Sequence, residues 1–227
     1  MTQIFIFTAS ASEAREHLRA SIQNPLDPDE VVQYFNDEER LAVQAIAANH
    51  GLFAWGAVPG PRNEPTWQAM KTGDWVLCVY EGWYRYAAKL VAKFDNAAFA
   101  RQIWGETEEG STWQFMYFMT KPQAIGVPLD QVGDYLNRRY MGFTRISEDK
   151  VQAIQRDFNG VDNFVQQRLI EVEGVQAQIV DEHPLEQITR EDVLDALRLI
   201  GRLTVRVVTS LLPQNFEPSR YLFHWSV

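Results

Sequence analysis

Six of the seven tryptophans of this 227-residue chain lie between Trp55 and Trp113. They occur on short apolar runs beside turns rich in glycine and proline, a pattern that is typical of strands. An indole buries a large area but needs a partner for its N–H group. Several indoles on short strands can therefore form a core, or they can wall a slot that takes a flat ring. The stretch predicts a β-rich unit and leaves both roles open.

Apolar periodicity and turn residues divide the chain into helices and strands in an α+β order. Before the tryptophan-rich stretch we predict a strand at Ile4–Phe7, a helix with a capping box at Ser10–Glu13, a helix capped by Asp27, and a helix from Glu38 to Asn49. Within it we predict the strands Phe53–Gly56, Trp75–Tyr80, Tyr84–Phe94 and Thr112–Met119, with Glu81-Gly82 as a hairpin turn. After it we predict helices over Pro128–Tyr140, Ser147–Phe158 and Asn163–Val172.

The chain carries a net charge of −9, which disfavours nonspecific binding to a polyanion. The charge is uneven, because residues 51–150 contain eleven basic and eleven acidic residues and are neutral. A local basic rim of Arg62, Lys71, Arg85, Lys89 and Lys93 is compatible with this distribution. The chain begins without a signal peptide and has no run of eighteen apolar residues, so we expect a soluble, cytoplasmic protein.

Motifs of common catalytic sites are absent from the sequence, which has no P-loop, no G-x-S-x-G elbow and no H-E-x-x-H zinc motif. The histidines are scattered, and we interpret them as exposed or locally hydrogen-bonded rings: His17, His50, His183 and His224. The only cysteine, Cys78, lies in an apolar strand pattern that is typical of an inert core thiol. We therefore predict a chain that is not an enzyme and that uses no metal ion or cofactor.

The order of these segments resembles the PUA-like superfamily, in particular its EVE and YTH branches. The resemblance lies in Leu52-Phe-Ala-Trp-Gly-Ala, in Trp67, in Met70-Lys-Thr-Gly-Asp74 and in the hairpin Trp75–Val91. Ala97–Gly105, Thr112–Phe118 and Tyr140–Ser147 are similar to the modules at the front of McrB-type and EVE–HNH modification-dependent restriction proteins. The resemblance implies a small, partly closed β-barrel flanked by helices, with a small C-terminal α/β appendage.

In that superfamily a nucleobase is held between aromatic walls, and the readers of duplexes flip the base out of the helix. The resemblance implies that Trp55 and Trp104 are the two walls and that Asn63 hydrogen-bonds the edge of the base. Trp83 and Tyr84, at the tip of the hairpin, are then a third wall or a strand-separating wedge. The candidates for contacts to backbone phosphates are Arg62, Arg85, Lys89 and Arg145.

The aromatic residues also have a purely structural interpretation. Trp75 and Trp113 lie in apolar strand patterns and Trp67 on a helical turn, so we interpret these three as core. Trp55 and Trp104 are open to either role. A glycine follows each of them, and Gly56 in particular permits the close approach of a ligand to the backbone.

From the resemblance we expect a non-catalytic reader of a modified base in DNA that works in a restriction or defence system. N6-methyladenine, 5-methylcytosine and 5-hydroxymethylcytosine are all admissible. One alternative is an RNA-binding domain of the same superfamily that reads a modified or single-stranded base. The other is a small-molecule or protein-interaction domain whose aromatic residues are core.

The composition divides the chain into three parts. We expect residues 1–170 to form the base-reading domain, residues 171–187 to be an acidic linker, and residues 188–227 to be a helix-plus-strand element. Because the chain ends on an apolar, strand-like run, we expect it to be the first part of a longer protein. An effector nuclease or NTPase would then lie on the missing part or on a partner chain, and no membrane is involved.

Overall fold

One seven-stranded sheet with helices around it makes up the described part of the chain, residues 2–140 and 142–171 of a computed structural model. The strands are β1 Ile4–Thr8, β2 Phe53–Ala57, β3 Trp75–Tyr80, β4 Trp83–Asp95, β5 Phe115–Met119, β6 Gln123–Pro128 and β7 Phe143–Arg145. The helices are α1 Ser12–Leu18, α2 Pro28–Val32, α3 Asp37–His50, α4 Asn63–Ala69, α5 Ala97–Trp104, α6 Glu148–Phe158 and α7 Val161–Val165. The predicted linker and C-terminal element lie outside the described residues, apart from Glu171.

The sheet is built around the long strand β4. The strand order is β2-β5-β4-β3-β1-β7, and β6 also pairs with β4. The first half of β4 pairs with β6 and its second half with β5, while β3 lies along its other side. The pair β1–β3 is parallel and the other pairs are antiparallel. Irregular register in all three pairings of β4 bends the strand, as β-bulges do.

The sheet curls until its two ends approach each other. Phe7 on β1 stacks on Trp55 of β2 with 4.4 Å between ring centroids, although these strands are not neighbours in the sheet. Tyr117 on β5 stacks in the same way on Phe143 of β7, at 5.5 Å. Side chains bridge the two ends, but no strand pairing among the described residues closes the barrel. This curled, unclosed sheet with flanking helices confirms the predicted α+β class.

Strand alternation sorts the apolar residues into three clusters. The cluster inside the curl includes Phe5, Phe7, Trp55, Cys78 and Tyr117. A second cluster, on the outer face, packs helices α6 and α7 on β1, β3 and β4. A third packs α2, α3 and α5 on the outer face of β2 and β5. Cys78 is sealed in the inner cluster, and this burial raises the pKa of its thiol well above the ordinary value.

Local signals account for most of the helix boundaries. Asp27 caps α2 by accepting a hydrogen bond from the Asp29 N–H, and Asn36 forms a capping box with Glu39 at the start of α3. The capping box predicted at Ser10 does not form, because the N-cap of α1 is one residue later, at Ala11. No helix of the described ranges is long and apolar enough to cross a membrane.

The stretch after β5 differs from its prediction. In place of a helix over Pro128–Tyr140 there is a single 3-10 turn, Leu129–Val132, followed by turns. Two short strands, β6 and β7, were not predicted. Each has a polar or exposed end and takes its place only through pairing with β4 or β1. Such pairing is set by tertiary contacts rather than by local pattern.

Candidate functional site

A cavity of about 240 Å³ opens where the two ends of the curled sheet meet. Its walls come from the carboxyl ends of β1 and β2, from α1, from the first residue of α4, from the segment before β5 and from the start of β7. The aromatic lining consists of Phe7, His17, Trp55, Trp113 and Phe143. Because drug-sized ligands occupy about 300–1,000 Å³, a cavity of this size fits one small planar ring system.

Trp55 is the rigid wall of the cavity. The ring lies on β2, is stacked on Phe7 with an interplanar angle of 25°, and is only 6% exposed. The indole N–H groups of Trp67, Trp75 and Trp104 donate to protein acceptors. The Trp55 N–H, by contrast, has no acceptor among the described residues and is not sealed from solvent. It therefore remains available to a ligand.

Trp104 is not the second wall of a parallel slot, which corrects the sequence prediction. The planes of Trp55 and Trp104 are tilted by 55° at 6.3 Å, and Trp104 packs in the cluster on the outer face of β2. Neighbouring residues of a strand point to opposite faces, so Gly56 presents its open side to that cluster. A Cβ at Gly56 would lie 2.6 Å from Cζ3 of Trp104 and 2.2 Å from the carbonyl oxygen of Trp113. The protein's own residues fill the space that was predicted for a ligand.

Trp113 takes the place that the sequence prediction gave to Trp104. It was interpreted as core, yet it precedes β5, is half-buried and lines the cavity. Its ring meets that of His17 edge to face, at 4.4 Å and 83°. Trp75, on the other hand, is a core residue whose N–H donates to Asp162 Oδ1 at 2.9 Å.

His17 is the site residue that sequence reasoning missed. The ring is buried and contacts Trp55, Trp104 and Trp113. Burial lowers the pKa of His17 below its ordinary value, and the opposing effects of Glu13, a backbone hydrogen bond to Trp104 and Glu16 are smaller. At neutral pH the cavity therefore contains a neutral imidazole. The available signal was the spacing of Ala14 and His17, which puts one small residue and one imidazole on the same face of α1.

The polar groups at the cavity are few and mainly acceptors. Asn63 begins α4, and its Nδ2 donates to the Val58 carbonyl at 2.8 Å, which ties down the loop after β2. Its Oδ1 accepts no hydrogen bond from the described part of the chain. The Glu13 carboxylate stands exposed at the rim, and Thr8 Oγ1 accepts from the Gly142 N–H at 3.0 Å. Acceptors of this kind suit a planar ligand that carries an amino group.

The hairpin residues Trp83 and Tyr84 do not line the cavity. Tyr84 is fully buried in the outer cluster near Tyr140, because strand alternation turns it away from the inner face. It therefore cannot act as a wall, which corrects that prediction. Trp83 is 36% exposed on the same side of the sheet as Tyr80, its cross-strand partner. It lies at the hairpin end of β4, and it is not among the residues that line the cavity.

The four predicted phosphate ligands lie at different places. Arg62 is exposed at the start of α4 next to Asn63, and Arg145 is exposed on β7 two residues after the cavity residue Phe143. Arg85 lies at the hairpin tip, against the rings of Tyr80 and Trp83. Lys89 is directed to the outer face, where its Nζ is 2.7 Å from Asp162 Oδ1 and above the Trp75 ring. Lys89 is thus paired on the outer face, away from the cavity, and its role as a phosphate ligand stays a prediction.

The element order and the curled, unclosed sheet form an α+β fold that is known from another protein. It is the fold of a solved structure, the N-terminal domain of Thermococcus gammatolerans McrB bound to m5C DNA. The two structures superpose with a TM-score of 0.52 over 68% of this chain and 96% of that one, at 14% sequence identity. No protein-family model matches the chain, and no curated protein matches its sequence. The predicted resemblance to McrB-type modules is confirmed at the level of the fold.

Proposed function

We propose that this chain recognises a modified base in DNA by taking the flipped base into the cavity between Trp55 and Trp113. One observation carries the proposal: an aromatic cavity of single-ring size lies at the open seam of a fold shared with a domain solved on m5C DNA. The cavity is reached from outside the sheet and is lined by residues from six segments of the chain. The cavity is therefore shaped by the fold as a whole and not by a single loop.

The energetic cost and gain of flipping a base into such a site are of similar size. Removing a base from a duplex costs a few kcal/mol, and stacking it on aromatic side chains returns about 1–3 kcal/mol. A methyl group buried against the apolar wall adds roughly 0.8 kcal/mol. This last contribution is the one that distinguishes a modified base from its unmodified counterpart. Modest discrimination by the cavity itself is therefore expected.

The polar groups favour a base with an exocyclic amino group. The free Oδ1 of Asn63 and the Glu13 carboxylate are acceptors, and carboxylates accept from cytosine N4 in known protein–DNA contacts. The neutral His17 adds no positive charge that would repel an amino group. We propose 5-methylcytosine as the first base to test, with N6-methyladenine and 5-hydroxymethylcytosine as comparators.

The chain acts, on this proposal, as a specificity module that performs no chemistry. Among the described residues no group of three His, Cys, Asp or Glu side chains is placed to hold a metal ion. The base-reading unit comprises residues 1–170, and the cleaving or translocating activity resides on another part of the system. In that arrangement the reader needs only to bind, orient and release the base.

The test is a pair of matched variants titrated with matched duplexes. Asn63→Ala removes the cavity acceptor, and Asn49→Ala removes an equivalent amide that donates at 2.8 Å to Ala45 on the exposed end of α3. Fluorescence anisotropy with methylated and unmethylated duplexes measures both affinities. We expect Asn63→Ala to weaken binding of the methylated duplex by roughly 2- to 12-fold, the equivalent of one lost hydrogen bond. Asn49→Ala should bind like the wild type.

The same titration tests the role of Trp113 and the alternative of RNA binding. Trp113→Leu should reduce the preference for the methylated duplex, and thermal melting verifies that the variant is folded, because Trp113 also packs against His17 and the third cluster. Equal affinity of the wild-type protein for both duplexes, or no binding, would overturn the proposal. Tighter binding of a matched RNA oligomer would instead assign the site to RNA, where a nearby 2′-hydroxyl distinguishes the two.

A further inference from the structure

The turn between β3 and β4 has a residue that its backbone disfavours. Glu81 and Gly82 have φ angles of 53° and 78°, so both are left-handed, as in a type I′ hairpin turn. Asn-Gly, Asp-Gly and Gly-Gly are the usual sequences there, because other side chains are strained at positive φ. Glutamate at the first of these positions therefore needs a compensating interaction or a function.

The Glu81 carboxylate lies between two arginines. Its Oε1 is 2.7 Å from the Arg15 guanidinium and its Oε2 is 3.3 Å from that of Arg85. Hydrogen bonding to Arg15, more than any other contact, lowers the pKa of Glu81, so this carboxylate is ionised. The carboxylate itself is more than half exposed, and exposed ion pairs contribute little to stability. The contacts alone do not explain why a strained glutamate occupies the turn.

The two guanidinium groups are held in place without Glu81. That of Arg15 lies 4.0 Å from the centroid of the Tyr80 ring, and its Nε donates to the Ala9 carbonyl at 2.6 Å. That of Arg85 lies above the rings of Tyr80 and Trp83, at 5.1 Å and 5.4 Å. Nε of Arg85 is buried and has no hydrogen-bond partner among the described residues. The arrangement is a preformed fork of donors, and such forks match the geometry of phosphate as well as carboxylate.

The fork lies beside the cavity on the same side of the sheet. Helix α1 separates them: Ala14 and His17 face the cavity, while Arg15 reaches Tyr80. Thr8, at the cavity, pairs with Val79, which pairs with Tyr84. Two strand spacings make about 10 Å, and phosphates of one DNA strand follow each other every 3.4 Å or so along the axis. A strand with its base in the cavity can reach the fork within about three nucleotides.

We propose that Arg15 and Arg85 form a binding site for a backbone phosphate of nucleic acid, and that Glu81 occupies this site in the free protein. The inference rests on the proposed function, since the cavity brings the strand to the fork. When a phosphate arrives it replaces the carboxylate, and the exposed Trp83 ring beside Arg85 offers a surface to the neighbouring nucleotide. Because Glu81 competes with every phosphate, it weakens binding to all sequences alike. Binding through the cavity is then what decides whether the complex forms.

The experiment compares charge-matched variants of the full chain. Glu81→Gln removes the competing charge at the fork, and Glu109→Gln removes the same charge from an exposed turn elsewhere. Arg85→Gln removes a fork cation, and Arg156→Gln removes a cation that is likewise paired with one carboxylate, Asp157, on α6. Affinities for methylated and unmethylated duplexes are measured by anisotropy at several salt concentrations, and thermal melting verifies that each variant is folded.

We expect Glu81→Gln to tighten binding of both duplexes by roughly 2- to 5-fold, the range of an exposed ion pair. The slope of log K against log salt should steepen by up to about 0.9. Arg85→Gln should weaken both duplexes and make that slope shallower by about one. The ratio between the duplexes should not change in either variant, because phosphate contacts carry no base information.

Each outcome decides one of the two proposals. If Glu81→Gln behaves like Glu109→Gln, or if no variant binds any duplex, the phosphate site is wrong. If Glu81→Gln tightens binding while the wild type shows no preference for the methylated duplex, the phosphate site stands and the base-reading function fails. If the wild type prefers the methylated duplex and Glu81→Gln has no effect, the base-reading function stands and the phosphate site fails.

Discussion

At the scale of single residues, His17 shows how the site acquires its character. Three indoles from three separate segments surround one imidazole, and the burial that they cause lowers its pKa. A neutral ring keeps the cavity apolar at neutral pH. A protonated ring would put a positive charge against three aromatic rings and beside the opening of the cavity. The histidine therefore links the state of the site to pH.

The pH dependence of stability follows from this shift. Because the pKa of His17 is lower in the folded state than its ordinary value of 6.5, the unfolded chain binds the extra proton between these two values. The stabilisation is complete above about pH 6.5 and is lost as the pH falls toward the folded-state pKa. We expect urea titrations at pH 7.5 and 5.5 to show a smaller loss of unfolding free energy for His17→Gln than for the wild type. His50→Gln, an exposed matched change, should lose as much as the wild type.

At the scale of elements, neighbouring residues at the end of strand β2 serve opposite faces of the sheet. Trp55 faces the cavity, while Gly56 faces the outer cluster and lets the Trp113 backbone and the Trp104 ring approach closely. The glycine thus positions Trp113, which is itself a wall. Gly56 was predicted to let a ligand approach the backbone, but it lets two parts of the protein contact each other instead.

A single methyl group tests this contact. Gly56→Ala would place Cβ 2.2 Å from the Trp113 carbonyl oxygen, so β2 or the segment before β5 must shift. We expect a loss of about 1–3 kcal/mol in the free energy of unfolding, as for overpacked cores, together with weaker binding of the methylated duplex. Gly60→Ala is the control, since no atom lies within 4 Å of its Cβ, and it should melt like the wild type. Equal melting temperatures of the two variants would contradict the packing described for β2.

Local sequence signals predicted the elements that depend on neighbours in the chain. The hairpin of β3 and β4 follows from apolar runs around Glu81-Gly82, and α2 follows from Asp27 with Pro28 at the first helical position. The placement of Trp55 came from the resemblance of segment order, and the cavity contains it. The tilt of Trp104 and the burial of His17 were not predictable, because each is fixed by contacts between segments far apart in sequence.

At the scale of the whole molecule, the single cysteine lies at the centre of the fold. Cys78 is on β3, between β1 and β4, and belongs to the cluster inside the curl. Its neighbours on both sides, β1 and β4, are paired strands, so a reagent reaches it only when part of the sheet opens. Its reactivity therefore reports the opening of the sheet itself.

The native protein should react with a thiol reagent only as fast as the sheet opens. The thiolate is the reactive form, and burial both excludes the reagent and raises the thiol pKa. We expect labelling to be slow in buffer and complete in urea, with a free energy of opening close to that of global unfolding. A variant with an exposed cysteine, Gln68→Cys, should gain one rapidly labelled thiol. Rapid labelling of Cys78 in the native wild type would show that the inner cluster is not closed.

The parallel pairing of β1 has a consequence for how the molecule assembles. The central strand β4 pairs with β3, β5 and β6, which lie closer to it in the chain, whereas Ile4 must find Trp75 and Phe5 must find Arg145. Long chain closures are entropically costly and slow folding, so the β1 side should join after the central meander has formed. The cavity is built from β1, β2 and β7 and comes into being only at that late step. On the proposed function, a nascent chain acquires its binding site only when its fold is finished.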